Sequence, residues 1–247
     1  MSRLIRVELK RMFRDWVAYG IIVFFIIFAA AFPILTVLGA DIGEEPYFGM
    51  CHTAVLTILP LMCGAFAGLF ISREFGVETG TITIRNKIIA GHRRLHIYIA
   101  DLIVIAIFTL MCYVIYEVVV FAVGAFLFDF STLSSEIIIK QLLLMALLIV
   151  GNVPLCVAIA YILRNVAGAV LGYMVQMVLM TGGMLGQMSG VFGKICEVIS
   201  RFSPQGQIQM TAYAMPDKVW LTILCTLALG LAAAFAGGLC FSKCDLK

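Results

Sequence analysis

The sequence predicts an all-α integral membrane protein with six transmembrane helices, an N-terminal interfacial amphipathic helix and both termini in the cytoplasm. Its 247 residues are 63% hydrophobic and only 13% charged, and the mean hydropathy is +1.09. A soluble domain averages about 45–50% apolar and about 25% charged residues. The composition therefore excludes a soluble globular protein, and residues 1–247 are predicted to form a single transmembrane domain.

Residues 1–16 are predicted to form an amphipathic helix in the membrane interface. At 100° per residue, the apolar and the basic side chains separate onto two sides of this helix. A basic amphipathic helix lies in the headgroup plane with its apolar face dipped toward the acyl chains. The alternative is a plain positively charged flank of the first span. The apolar side carries Ile5, Leu9, Met12, Phe13 and Trp16, and the basic side carries Arg3, Arg6, Lys10 and Arg14.

Six apolar stretches are each long enough to cross a membrane, which takes roughly 20 helical residues. The first is interpreted as an uncleaved anchor, because its apolar run exceeds the roughly 7–15 residues of a signal-peptide core. A kink is predicted at Pro33, and the fourth span is predicted to be interrupted at residues 151–154. The six spans are 17–38, 50–70, 102–128, 137–163, 166–191 and 220–241.

Small residues in two spans predict close helix contacts. Gly64-x-x-x-Gly68 in the second span gives a flat face on which another helix can approach closely. Gly182-x-x-x-Gly186-x-x-x-Gly190 in the fifth span has the same pattern. Both patterns predict tight packing between helices.

Two groups of side chains inside the spans are candidates for a transport pathway. Glu117 lies in the third span with Tyr113 one turn away, and an ionisable residue in a span is by default a functional-site hypothesis. Pairing with an outer-side group is the alternative. Methionines at steps of three and four, among them Met177 and Met184, form a stripe in the fifth span. Such a stripe suits varied hydrophobic ligands, with ordinary packing as the alternative.

The distribution of lysine and arginine predicts the orientation. With the N-terminus in the cytoplasm, the inner segments hold five basic residues in 1–16, five in 73–94, one at Arg164 and two near the C-terminus, which makes 13 of 17. The outer segments hold the other four. The positive-inside rule therefore places both termini and the loop 71–101 in the cytoplasm, and the segment 193–218 outside.

No motif in the chain predicts catalysis. The sequence has no GxxxxGK[ST] phosphate loop, no Ser/His/Asp set, no paired-carboxylate site and no His/Cys cluster with metal-ligand spacing. Its eight cysteines lie mostly in apolar runs, where they behave as small hydrophobes. The net charge of +3 is too small to indicate nucleic acid. The chain is predicted to be no enzyme and to hold no cofactor or metal of its own.

The segment from Glu74 to Ile82, EFGVETGTI, resembles the loop between spans two and three in type-2 ABC transporter permeases. In that family an acidic residue is followed by Glu-x-Gly-Thr, and then by basic and small residues before span three. The topology of the whole chain is similar to that family as well. The matching residues are Glu74, Glu78, Gly80, Thr81, Arg85, Arg93 and Arg94.

The resemblance implies a short coupling helix in the loop 71–101 that docks on a separate cytoplasmic ABC ATPase, which would carry ATP and Mg. An ordinary positive-inside loop is the alternative. The resemblance also implies a second permease copy in a homodimer and a pair of re-entrant helices in 193–218, for which a simple outer loop is the alternative. The implied coupling residues are Arg73, Glu74, Phe75, Glu78, Gly80, Thr81 and Arg85.

These features together predict the membrane subunit of an ATP-driven exporter in a bacterial plasma membrane, with amphipathic or hydrophobic cargo such as peptides or drugs. Two alternatives remain. One is a proton-coupled secondary transporter in which Glu117 carries the proton, although the chain shows no evident internal repeat. The other is a membrane scaffold or sensor that transports nothing.

Overall fold

The computed structural model describes residues 2–39, 48–75, 83–127, 135–185, 190–213 and 218–243, and within these ranges it contains ten α-helices and no strand. The predicted all-α class is therefore confirmed. The helices are α1 (Ser2–Met12), α2 (Trp16–Gly39), α3 (Phe48–Glu74), α4 (Thr83–Ile89), α5 (Arg94–Leu127), α6 (Ser135–Leu163), α7 (Ala167–Leu185), α8 (Val191–Phe202), α9 (Pro204–Tyr213) and α10 (Val219–Lys243).

Four helices among the described residues are long and apolar enough to cross a membrane, so the protein is membrane-embedded and multi-pass. The predicted second and fifth spans correspond to α3 and α7, and their crossing of the membrane stays a prediction. The four segments that qualify are Trp16–Leu35, Arg94–Leu127, Ile138–Leu163 and Val219–Lys243.

The helices pack as a bundle around α3, α5 and α6. α6 lies against α3, α5, α7, α9 and α10, while α2 packs along α5 and α3 packs along α7. The core between α3 and α5 includes the stacked rings of Phe66 and Phe108, whose centroids are 4.1 Å apart. Stacked aromatic pairs add to the stabilisation that their buried area provides.

The contact between α3 and α7 confirms the close approach predicted at Gly64 and Gly68. A Cβ atom at Gly64 would lie 3.3 Å from the backbone of Gly172, and one at Gly68 would overlap the backbone of Ala169. Only glycine permits backbones to come this near. Most of the second pattern, at Gly182 and the positions after it, lies outside the residues whose side chains are described.

The predicted interruption of the fourth span at residues 151–154 does not break the helix, because α6 continues from Ser135 to Leu163 through Pro154, and the kink predicted there stays a prediction. A proline removes one backbone hydrogen bond, and a packed neighbour can compensate inside a membrane. Helix α10 packs closely against α6 beside this proline. A Cβ at Gly230 of α10 would lie 3.1 Å from the carbonyl oxygen of Gly151.

The segment 193–218 contains two helices that fold back onto the bundle. Ser203 separates α8 from α9, and its Oγ accepts a hydrogen bond of 3.1 Å from the N–H of Gly206. Pro204 follows at the first helical position, where its missing N–H costs nothing. α9 packs against α3, α6 and α7. The described part of this segment is therefore helical, and its re-entrant position in the membrane stays a prediction.

The predicted polar loop 71–101 is largely helical. α3 continues to Glu74, α4 lies within the loop, and α5 begins already at Arg94. Gly91 has a φ of 88°, a left-handed conformation that favours glycine, and it turns the chain from α4 into α5. The 34 residues of α5 span about 51 Å at 1.5 Å per residue. This exceeds the roughly 30 Å of a hydrocarbon core, so the polar first turns of α5 project beyond it.

Candidate functional site

Six side chains from five helices meet in a buried cluster at the end of the bundle where α3 ends and α5 begins. Three are carboxylates, two are cations and one is a tyrosine. The helices that contribute are α1, α3, α4, α5 and α6. We call this group the anchor cluster, and its members are Glu8, Arg11, Glu74, Lys87, Asp101 and Tyr161.

Lys87 of α4 is the central cation of the anchor cluster. Its Nζ lies 2.6 Å from Oε1 of Glu74 and 2.8 Å from Oε1 of Glu8. Oδ1 of Asp101 lies 3.9 Å from the same nitrogen. One side chain therefore ties α4 to α1, α3 and α5.

Arg11 and Tyr161 are the other two donors of the anchor cluster. Nη1 of Arg11 lies 2.5 Å from Oε1 of Glu74 and 3.8 Å from Oε2 of Glu8. The Tyr161 hydroxyl donates a hydrogen bond to Oδ2 of Asp101. Each carboxylate thus has at least one positively charged or hydroxyl neighbour.

Burial shapes the electrostatics of the anchor cluster. Glu8 is 1% exposed and Glu74 is fully buried. Removal from water disfavours a charged carboxylate, and burial followed by repulsion from a neighbouring acid raises the pKa of each glutamate from 4.5 to about 7. Burial alone would lower the pKa of Lys87, but the surrounding carboxylates outweigh it and raise this pKa above its ordinary value. Lys87 is therefore charged at neutral pH, where the glutamates titrate.

The sequence of α1 explains how Glu8 comes to be buried. Leu4, Glu8 and Met12 follow at steps of four and so share one side of the helix. All three are buried, and α1 packs against α5. The predicted amphipathic helix is present from Ser2 to Met12, but its buried stripe contacts protein and has an acid in its centre. This acid needs partners from other helices.

α4 has one face turned into the protein and one turned out. Ile84 and Lys87, one turn apart, are 0% and 9% exposed. Arg85, Asn86 and Ile89 lie on the other side and are exposed, with Ile89 at 75%. We call these three residues the outward face of α4. The inner face of this short helix is thus held by contacts within the protein, and its outward face is accessible to a partner.

Three of the predicted coupling residues hold the loop to the membrane domain. Glu74 belongs to the anchor cluster, and Arg73 pairs with Asp15, with Nη1 2.6 Å from Oδ1. The Phe75 ring packs edge-on against the rings of Tyr161 and Phe241. The buried carboxylate of Glu74 is not accessible to a partner protein, so its role is internal.

Of the other predicted coupling residues, one is exposed and three lie in a part of the loop that the structure does not describe. Arg85 is exposed and lies on the outward face of α4. Glu78, Gly80 and Thr81 lie outside the described residues. Within the described part of the loop, Arg85 is the predicted coupling residue that a partner could contact directly.

The prediction that the chain has no paired-carboxylate site is wrong. Oxygens of Glu8, Glu74 and Asp101 lie within 4.8 Å of one another. Such a group can hold a metal ion, but here the Lys87 ammonium contacts all three acids, and we assign no metal to them. Two signals in the sequence point to these acids: Glu8 interrupts the apolar stripe of α1, and Asp101 directly precedes the third span.

The predicted pathway residues do not converge in the described part of the chain. Glu117 is 6% exposed, and the hydroxyl of Tyr113, one turn away, donates a hydrogen bond of 3.3 Å to the carbonyl of Leu142 on α6. Both therefore lie in the packed interior between α5 and α6. Met177 is 41% exposed on α7, and the side chain of Met184 lies outside the described residues. A pathway through these residues stays a prediction.

Comparison of the chain with protein-family models gave no match, and comparison with curated proteins gave none either.

Replacing Tyr161 by phenylalanine is expected to lower the free energy of unfolding by about 1.5–3 kcal/mol, because a carboxylate loses its hydroxyl donor. Tyr98→Phe is the matched control. The two buried rings lie 4.9 Å apart, but the Tyr98 hydroxyl has no hydrogen-bond partner among the described residues. Its removal should be neutral or stabilising. Unfolding of both variants in the same detergent tests this, and equal losses would contradict the role of Tyr161.

Proposed function

We propose that the chain is the transmembrane permease subunit of an ATP-driven ABC exporter. A separate cytoplasmic ABC ATPase, which binds ATP and Mg, docks on the outward face of α4. The cargo is amphipathic or hydrophobic, such as a peptide or a drug. The likeness of residues 74–82 to the loop of type-2 permeases supports this proposal, as does the membrane-embedded helical bundle.

The observation that carries the proposal is the attachment of α4 to three other helices by buried ion pairs. The inner face of α4 is joined to α1 and α3 by ion pairs of 2.8 and 2.6 Å, and to α5 through a third acid. Buried side chains are closely packed and hardly compressible, so they transmit a displacement to their neighbours. A displacement of α4 would therefore move the ends of three helices together. A free loop would absorb the same displacement.

The outward face of α4 suits a groove on a soluble partner. Ile89 exposes 75% of its surface on a segment that joins two helices of the bundle. Arg85 lies one turn before it and is also exposed. A helix with an apolar residue beside a charge can fill a cleft while the charge sets its orientation. This face is the one we assign to the ATPase.

The remaining architecture is consistent with the proposal. Nη1 of Arg94 donates a hydrogen bond of 3.3 Å to the carbonyl of Ser242, so the start of α5 and the end of α10 meet at the same end of the bundle as α1 and α4. The positive-inside rule puts this end in the cytoplasm of a bacterial cell. Two copies of the chain pair as a homodimer, and rigid-body motion of their helices opens the pathway.

Replacing Ile89 by aspartate is expected to reduce recovery of the ATPase with the tagged chain about tenfold or more. Loss of a central apolar contact costs about 2 kcal/mol at an interface, and each 1.4 kcal/mol is a factor of ten. Insertion into the membrane should not change, because Ile89 is exposed. The measurement is co-purification in mild detergent, with the captured ATPase identified by its nucleotide-binding motifs.

Lys140→Asp is the control for this experiment. It places a new carboxylate on an exposed residue of α6, outside the loop 71–101, and it should leave recovery unchanged. A wild-type chain that captures no ABC ATPase would refute the proposed function. Undiminished capture by Ile89→Asp would refute the assignment of the outward face.

A further inference from the structure

The charges of the anchor cluster do not balance. Glu8, Glu74 and Asp101 carry three negative charges when ionised, and the cluster supplies two positive ones, from Lys87 and Arg11. The adjacent pair of Arg73 and Asp15 is neutral as a unit. An uncompensated charge in a buried position costs several kcal/mol. Counted over its own six members, the cluster therefore has one negative charge in excess, which the binding of one proton would remove. Other cations lie near the cluster but outside it: Arg73, which pairs with Asp15, and Arg164, which lies 6.0 Å from the centroid of the Phe75 ring.

The hydrogen bonds of the cluster leave room for a single proton. Oε2 of Glu8, Oε2 of Glu74 and Oδ1 of Asp101 are buried and have no hydrogen-bond donor among the described residues. An ionised carboxylate only accepts hydrogen bonds, whereas a protonated one can also donate. One proton on one carboxyl would therefore remove the excess charge and supply a missing donor in the same step.

The position of this proton follows from the neighbours of each acid. Burial disfavours the charged form of all three acids, but Oδ2 of Asp101 accepts a hydrogen bond from the Tyr161 hydroxyl, which offsets part of this effect for Asp101. Glu8 and Glu74 share Arg11 and Lys87 and face each other across α1 and α3. Two buried carboxylates at such a separation do not both ionise easily. The proton therefore belongs to these two glutamates.

We propose that the anchor cluster is a proton-binding site in which Glu8 and Glu74 share one proton, and that loss of this proton loosens α1 from α4 and from the first turns of α5. The inference does not depend on the proposed function, because it concerns only contacts within the chain. It assigns the acids of the cluster a role as a pH-sensitive attachment of the N-terminal helix.

The direction of the pH effect follows from the raised pKa values of the two glutamates. Each pKa moves from 4.5 to about 7 in the folded protein, so the docked state holds its proton more tightly than the undocked one. Docking of α1 is therefore strongest below pH 4.5, weakens as pH rises from 4.5 to about 7, and changes little above that. Lys87 keeps its charge throughout this range, because its pKa is raised.

Hydrogen–deuterium exchange of the peptide Ser2–Met12 tests the proposal. The purified chain in detergent is labelled at several pH values from about 5 to 8.5, with each rate divided by that of the unfolded peptide at the same pH. We expect the corrected exchange of α1 in the wild type to rise on the order of 10- to 300-fold across this range. Glu8→Gln, a neutral side chain of nearly the same shape, should show a flat profile.

Asp15→Asn is the control, because it removes an acid near α1 that pairs with Arg73 outside the cluster. Its pH dependence should match that of the wild type even if its exchange is faster at every pH. Glu74→Gln provides the same test should Glu8→Gln fail to fold. A flat wild-type profile would overturn the proposal. A Glu8→Gln or Glu74→Gln profile as steep as that of the wild type would overturn it as well.

Discussion

Replacement of Lys87 by methionine is expected to lower the free energy of unfolding by about 3–5 kcal/mol, the range seen when one partner of a buried ion pair is removed. Methionine keeps the length of the side chain but takes the central cation from three buried carboxylates. The single positive charge of Arg11 cannot balance the negative charges that remain. The measurement is unfolding by SDS in mixed micelles, followed by circular dichroism.

Lys140→Met is the matched control for this change. Lys140 forms an ion pair of 2.6 Å with Glu136 on the same helix, and both side chains are well exposed to their surroundings. Exposed pairs of this kind contribute little to stability, so this substitution should have a much smaller effect than Lys87→Met. Adding Glu8→Gln to Lys87→Met should recover part of the lost stability, because it removes one uncompensated charge. Equal effects of the two lysine substitutions would contradict the central role of Lys87.

Replacement of Gly68 by valine is expected to cost about 3 kcal/mol or more, at or above the upper end of the usual range for overpacking. A Cβ atom at this position would overlap the N and Cα atoms of Ala169. Backbone atoms cannot rotate away as the end of a flexible side chain can, so α3 and α7 would have to separate. SDS unfolding measures the loss, and a cysteine cross-link between α3 and α7 would report the separation.

Gly20→Val is the control for the substitution in α3. Gly20 also lies inside an apolar helix, but among the described residues no heavy atom beyond the adjacent backbone of its own helix lies within 4 Å of the position its Cβ would take. The change in helix propensity is the same for both variants, so the difference between them reports the steric effect. A loss of stability as large for Gly20→Val as for Gly68→Val would contradict the tight contact between α3 and α7.

The long apolar stretches and the amphipathic N-terminus could be predicted because each depends on a local pattern of side chains. The close contact at Gly64 and Gly68 could be predicted for the same reason, since small residues four apart form a flat face whatever lies opposite. The continuous helix of α6 through Pro154 could not, because residues 151–154 by themselves favour a break and the packing of α10 beside Pro154 joins parts of the chain that are distant in sequence.

The anchor cluster was missed for a related reason. Glu8, Glu74 and Asp101 come from three separate parts of the chain, and no spacing in the sequence connects them. The basic residues of the loop that contains Lys87 predict a surface for a partner. Lys87 is instead buried, because α4 places it on the same inner face as Ile84. Long-range charge pairing is thus the part that local patterns do not encode.

The docking of α1 also has a consequence for biosynthesis. Glu8 emerges from the ribosome early, whereas its partners on α3 and α4 and its neighbour on α5 are translated dozens of residues later. Contacts between distant segments close late in folding because the intervening chain must first be ordered. We therefore expect α1 to reach its final place only after α3, α4 and α5 have been translated.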